Sequence, residues 1–130
     1  MKKLILSLFF LLPLMVFSQI KNQEVLEYAE QMPEFPGGVD SLMKFMSQNI
    51  HWPKDLDAEV KPPVIVFVGF IVDAEGHMSD PYLVKQSYDA FNNEAIRVIK
   101  LMQTITWKPG LQKGNPVRVK YVLPIRFDSL

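Results

Sequence analysis

Among the side chains of this 130-residue chain that could do chemistry, the two histidines come first. His51 stands beside Trp52, and His77 follows a predicted hairpin turn. No HxxxH, HxH or HExxH spacing joins either to a second ligand, so loop positions on the surface account for both. Ser41, Ser47, Ser79, Ser87 and Ser129 lack the GxSxG or SxxK surroundings that activate a hydroxyl. Gly37-Gly38 lies in neither GxGxxG nor GxxxxGK(S/T), which makes it a structural turn rather than a phosphate cradle. Asp55 and Asp57 sit in a solvated stretch. Cysteine is absent, which removes disulfides, thiolate metal sites and Cys nucleophiles together. The chain reads as a non-enzyme without cofactor or metal; a small hydrolase or metal enzyme using His51 or His77 is the alternative from another class.

Arg118, Lys120 and Arg126 offer chemistry of a different kind. They alternate with Val117, Val119, Tyr121, Leu123, Ile125 and Phe127, so a strand over 117–127 would turn its apolar residues one way and its bases the other. If that strand lies at a sheet edge, an extended peptide can add to it through main-chain hydrogen bonds, and the bases would favour an acidic partner. Edge lysines and arginines also serve to block unwanted strand pairing. Physics alone supports the two uses equally.

The elements that must position this strand are legible in part. Met32-Pro33-Glu34-Phe35-Pro36-Gly37-Gly38 breaks regular structure, because two prolines and a glycine pair fix and free φ in quick succession. A helix is predicted next: Leu42, Met43, Phe45, Met46 and Ile50 recur on one face, with Asp40 in the first turn. Trp52-Pro53 stops it. Val64 to Val72, uncharged and β-branched, reads as a central strand, with Asp73-Ala74-Glu75-Gly76 as its turn. His77 to Ser87 returns as an edge strand, since Pro81 withholds a ladder donor. Asp89 is predicted to cap a second helix carrying Phe91, Ala95, Ile96, Val98, Ile99 and Met102, before Trp107-Lys108-Pro109-Gly110 and the 117–127 strand. The order implies an α+β domain: a three-stranded antiparallel sheet with two helices on one face, and a last strand whose outer backbone groups are unpartnered.

Composition narrows the setting. Fourteen bases cancel 14 acids, which argues against a dedicated nucleic-acid binder, and 15 aromatics argue against wholesale disorder. Met1-Lys2-Lys3, the apolar run Leu4 to Phe17 and Ser18-Gln19 follow the order of a secretory signal peptide cut after Ser18. A short uncleaved inner-membrane anchor is the alternative, although roughly 20 apolar residues are usual for a span. Residues 1–18 are thus the export segment, 19–34 an arm and 35–130 the domain. Beyond Ser18 the charge divides unevenly: Gln19 to Ile96 holds 5 bases and 13 acids, Arg97 to Leu130 7 bases and Asp128 alone.

Taken in order, the landmarks resemble the C-terminal domain of the TonB family, the energy-transducing proteins of the Gram-negative envelope. These are Met32 to Gly38; Trp52-Pro53 in the place of the family's Tyr-Pro; Val64 to Val72 with Asp73 to Gly76; Glu94-Ala95; Trp107 to Gly110; and Gly114-Asn115-Pro116-Val117 leading to Leu123-Pro124-Ile125-Arg126-Phe127. The resemblance covers about Met32 to Phe127. It implies a periplasmic domain that pairs its last strand with the TonB box of an outer-membrane receptor. On that basis Trp52, Pro53, Val117, Arg118, Val119, Lys120, Tyr121, Val122 and Arg126 shape the binding edge, while Phe35, Trp107 and Pro109 fix loops against the core.

The chain also departs from the family's energy transducer, which has a membrane anchor engaging a proton-driven motor complex and a long proline-rich spacer. Its ten prolines are dispersed, Pro62-Pro63 replaces the Gly common before the first strand, and Gln19 to Glu34 fully extended at roughly 3.3 Å each would span about 53 Å. Three functions therefore stand: a periplasmic peptide-binding module, a complete anchored transducer coupled to the inner-membrane motor, and a secreted adaptor or small enzyme unrelated to transport. A homodimer through the last strand would compete for the same edge.

Overall fold

Nine residues without a charge, Val64–Val72, form the central strand of the sheet in the computed structural model, which describes residues 24–54, 56 and 59–128. In chain order the elements are strand β1 (Val25–Leu26), helix α1 (Gly38–Asn49), β2 (Val64–Val72), β3 (Tyr82–Lys85), helix α2 (Asp89–Leu101) with a 3₁₀ turn over Met102–Thr104, β4 (Gly110–Gln112) and β5 (Asn115–Phe127). The fold is the expected α+β arrangement with two helices, and β2 lies between β5 and β3. Two short strands enlarge the predicted three-stranded sheet to five: β4 forms a hairpin with β5, and β1 pairs with β5 in parallel.

The antiparallel β2–β5 register runs unbroken from Val64↔Phe127 to Val72↔Val119. Period-two alternation then places Val64, Val66, Val68, Phe70 and Val72 on the same face as Val119, Leu123, Ile125 and Phe127, and all nine are buried. Against that face pack Leu42 and Met46 of α1 and Phe91, Ala95, Val98 and Ile99 of α2. The expected helical face of α1 is narrower than its spacing implied, because Met43 is 49% exposed.

The start of α2 corrects a predicted cap. Asp89 is the first helical residue and Tyr88 holds the cap position with no side-chain bond. The stabilising contact comes from inside the helix: Asn92, buried, accepts from the Ser87 N–H at 2.8 Å and donates to the Ser87 carbonyl at 3.2 Å. The returning strand is also shorter than predicted. Residues 77–79 make only an isolated bridge, Val72↔Met78, and regular pairing begins after Pro81.

Trp107 is the hub of the aromatic core. Its ring meets Phe35, Phe70 and Tyr121 at centroid distances of 5.5, 5.4 and 5.1 Å, all steeply inclined, and it is 1% exposed. Phe35 also touches Phe45 of α1. Phe35 and Trp107 thus join the loop before α1 and the segment after α2 to the sheet, as the family resemblance implied.

Candidate functional site

The outer side of β5 can be worked out residue by residue. On β2, the Ile71 N–H donates to the Ser79 hydroxyl and the Ile71 carbonyl accepts from the Ser79 N–H, so Ile71 directs its backbone toward the β3 side. By alternation Ile65, Phe67 and Gly69 do the same, and their register partners on β5, which are Arg126, Pro124, Val122 and, opposite Ile71, Lys120, direct their backbone groups away from β2. Pro124 agrees with this, since a residue without an N–H is tolerated where that position faces outward.

Part of this outer edge is already occupied. β1 pairs Val25 with Arg118 and Leu26 with Val119. Val119 is simultaneously opposite Val72, so β1 lies on the side of β5 away from β2. Among the described residues no strand pairs with the outer side of β5 from Lys120 to Phe127. Beyond the arm, the outward groups there are the N–H and C=O of Val122 and Arg126 and the C=O of Pro124.

Two hollows flank that edge. One, of about 750 Å³, lies between Met32, Pro33, Val39 of α1, Lys108, Tyr121 and Val122. The other, of about 430 Å³, lies between Met43, Met46, Ile50 and Trp52 on one side and Pro124 to Asp128 on the other. Val39 and Met43 are one helical turn apart, 65% and 49% exposed, and with Met32 and Val122 they give the edge an apolar wall.

The predicted site residues divide between this edge and other places. Val122 and Arg126 stand on the open edge, and Arg126 bonds Asp128 at 3.0 Å across two exposed side chains. Lys120 sits at the junction with the arm, its Nζ 3.7 Å from a Glu27 carboxylate oxygen. Val117 belongs to the β4–β5 hairpin, opposite Gly110; Arg118 and Val119 are opposite β1, and the Arg118 side chain has contacts of its own. Tyr121 turns inward, stacked on Phe70 at 5.4 Å, and burial raises its phenol above the ordinary value of 10. Trp52 packs edge-on against Phe91 at 5.0 Å and walls the second hollow with an adjacent face; Pro53 follows it in the loop.

Sequence reasoning missed the arm strand and the apolar wall. Val25-Leu26 is too short for a periodic signal, and Met43 fits the helical face that the spacing assigned to the core. The histidines stand apart from each other. The His51 N–H donates to Glu94, and His77 lies at the hairpin turn with Asp73 and Glu75, their ligand atoms within 4.8 Å. Glu75 and His77 are exposed and Asp73 is half-buried, and the Asp73 carboxylate accepts from the Glu75 and His77 N–H groups at 2.9 Å, which is turn closure.

Residues 65–129, half of the chain, match the family of Gram-negative bacterial TonB protein C-terminal domains. The chain belongs to this family. The match spans β2 through β5, with the hairpin, second helix and open edge described above. Membership gives it a TonB-like role in outer-membrane transport, as a protein-interaction domain of the periplasmic side of the Gram-negative envelope. No curated protein and no solved structure matches the chain. No described helix is long and apolar enough to cross a membrane; the predicted export segment, residues 1–18, lies outside the described residues.

Proposed function

We propose that this chain is a TonB-like periplasmic binding domain that takes up an extended, acidic receptor segment, of the TonB-box kind, as an added strand on β5. The observation that carries the reading is the outer edge of β5 from Lys120 to Phe127, with outward backbone groups at Val122, Pro124 and Arg126 and no strand of the described chain upon them. An unpaired edge is a template for strand addition, in which main-chain bonds supply affinity and side-chain hollows supply specificity. Val39, Met43 and Val122 supply apolar contact, and Lys120 and Arg126 favour acidic side chains. Export of the chain by residues 1–18 is part of this proposal, as is operation without a motor of its own.

Titration of the protein with acidic receptor plug peptides tests the docking reading. Binding should weaken as salt rises, and reversing the exposed Arg126 to Glu should cost about 1 kcal/mol or less, mostly in the association rate. Absence of binding to any plug peptide would sink the reading. N-terminal sequencing of protein recovered from the envelope decides between a free module, beginning at Gln19, and the anchored transducer that retains Leu4 to Phe17.

A further inference from the structure

On the docking reading, on which this inference rests, the start of the edge is already held when no partner is present. The occupant is the chain's own arm. Val25 and Leu26 lie parallel to β5, on the outer side, opposite Arg118 and Val119, and Glu27 continues the register to meet Lys120 at 3.7 Å. Directly opposed residues share a face of the sheet. Leu26 therefore shares the inward face with Val119, while Glu27 shares the open face with Lys120.

The arm is held unevenly. Its root is tied by reciprocal backbone bonds, Gln31 with Leu111 at 3.0 and 2.9 Å and Glu34 with Lys108 at 3.0 and 2.8 Å. Glu30 adds to it, its N–H donating to Gln112 and its carboxylate accepting from the Lys113 N–H. Its tip, among the described residues, is paired with β5 over the two-residue strand and carries an ion pair whose Glu27 side chain is 70% exposed. Short, exposed pairing of this kind opens at low free-energy cost, and a tethered root keeps the tip at high effective concentration beside the edge.

We infer that the arm tip, residues 24–27, is a built-in stand-in for the ligand: the partner is an extended acidic segment that runs parallel to β5, sets an acid on Lys120, and displaces the arm to pair along the whole edge. The stand-in shows the chemistry that this end of the edge accepts, an apolar residue facing inward followed by an acid facing Lys120. It also fixes an intramolecular competitor, so the apparent affinity is the intrinsic one reduced by the fraction of molecules with the arm displaced.

The chain has no cysteine, so a single clamp can be introduced cleanly. Val25→Cys with Arg118→Cys joins register partners whose separation across a strand pair suits a disulfide. The full chain carrying this pair is titrated, oxidised and reduced, with a receptor plug peptide and with a synthetic copy of residues 23–30. The expected result is plug-peptide binding at least about tenfold weaker in the oxidised form, full recovery on reduction, and competition between the two peptides. Glu27→Lys, which sets like charges together, should tighten plug-peptide binding about threefold or more in the otherwise unaltered chain. Equal binding by the oxidised and reduced forms, or no gain from Glu27→Lys, overturns the inference and leaves the docking edge standing. Failure of every form to bind either peptide overturns both.

Discussion

The Glu94 carboxylate accepts two hydrogen bonds of 2.7 Å from the Arg97 guanidinium, and the same guanidinium donates to the Asn49 carbonyl at 2.7 Å. Asn49 is the last residue of α1, so Arg97 satisfies one of the carbonyls that a helix end leaves without a partner. The other Glu94 contact, from the His51 N–H at 2.7 Å, ties down the chain just beyond. Together they join α2 to the end of α1 that walls the second hollow.

This clamp makes a pH-dependent contribution to stability. Burial would raise the Glu94 pKa, but the hydrogen bonds from Arg97 and from the His51 N–H, with the Arg97 charge, outweigh it and hold the carboxyl below its ordinary 4.5. A carboxyl lowered in the folded state stabilises fully above its unfolded pKa and loses that contribution as pH falls through the folded value. Glu94→Gln should therefore cost about 1–2 kcal/mol in urea unfolding at neutral pH, the lower figure reflecting the partly exposed Arg97. As pH falls below the ordinary 4.5 the difference from the unsubstituted chain should shrink, and it should close once pH passes the lowered folded value; a difference that stays constant through acid pH contradicts the assignment.

Trp107 carries a second contrast. Its indole N–H is buried and has no acceptor among the described residues, while its ring fills the space between Phe35, Phe70 and Tyr121. Trp107→Phe loses ring area but removes a buried donor, and should cost about 1–2 kcal/mol, against about 3–5 for Trp107→Ala. Thermal and urea unfolding of the two variants measure the gap; equal losses would mean that the N–H has a partner.

Gly76 and Gly114 have similar positive φ, 86° and 77°, in different surroundings. A Cβ on Gly76 would fall 2.0 Å from the Trp107 carbonyl oxygen, and one on Gly114 would meet nothing within 4 Å. The Gly76 carbonyl also accepts from the Trp107 N–H at 2.8 Å, so this turn cannot move away without breaking that bond. Gly114→Ala should cost about 1 kcal/mol, the left-handed penalty alone, whereas Gly76→Ala should cost more than about 3 kcal/mol. Comparable losses would show that the hairpin turn yields.

The central strand was legible as an unbroken apolar run of nine residues, and both helices and the alternation of β5 because each repeats a period over several turns or strand pairs, and periodic burial overrides local detail. The short strands were not. Val25-Leu26 is flanked by Glu24 and Glu27, and Gly110–Gln112 begins with a glycine; both pair because β5 presents a partner, a tertiary cause without a local signature. An open edge on the last strand was legible from the predicted order of the sheet, and its alternation from the bases of 117–127. Its boundaries were not: Val117 turned out to be in a hairpin, and Arg118 and Val119 lie beneath the arm. Asp89 was placed at the cap by type preference, yet the buried Asn92, inside the helix, closes the loop.

The orientation of the β5 backbone separates binding from folding in a single pair of substitutions. Val122 faces its N–H outward, where Pro124 shows that a missing donor is tolerated, while Leu123 faces its N–H into the β2 ladder opposite Val68. Val122→Pro should leave stability within about 1 kcal/mol, because no ladder bond is lost. It removes one of two outward donors, so plug-peptide binding should weaken about fivefold to tenfold, the net worth of one main-chain hydrogen bond. Leu123→Pro breaks the ladder and a buried contact together, and should cost about 3 kcal/mol or more. Urea unfolding and peptide titration of both variants check the argument: if Val122→Pro unfolds as readily as Leu123→Pro, the outer side of β5 has been assigned to the wrong residues, and if it binds unchanged, the partner does not pair with this edge.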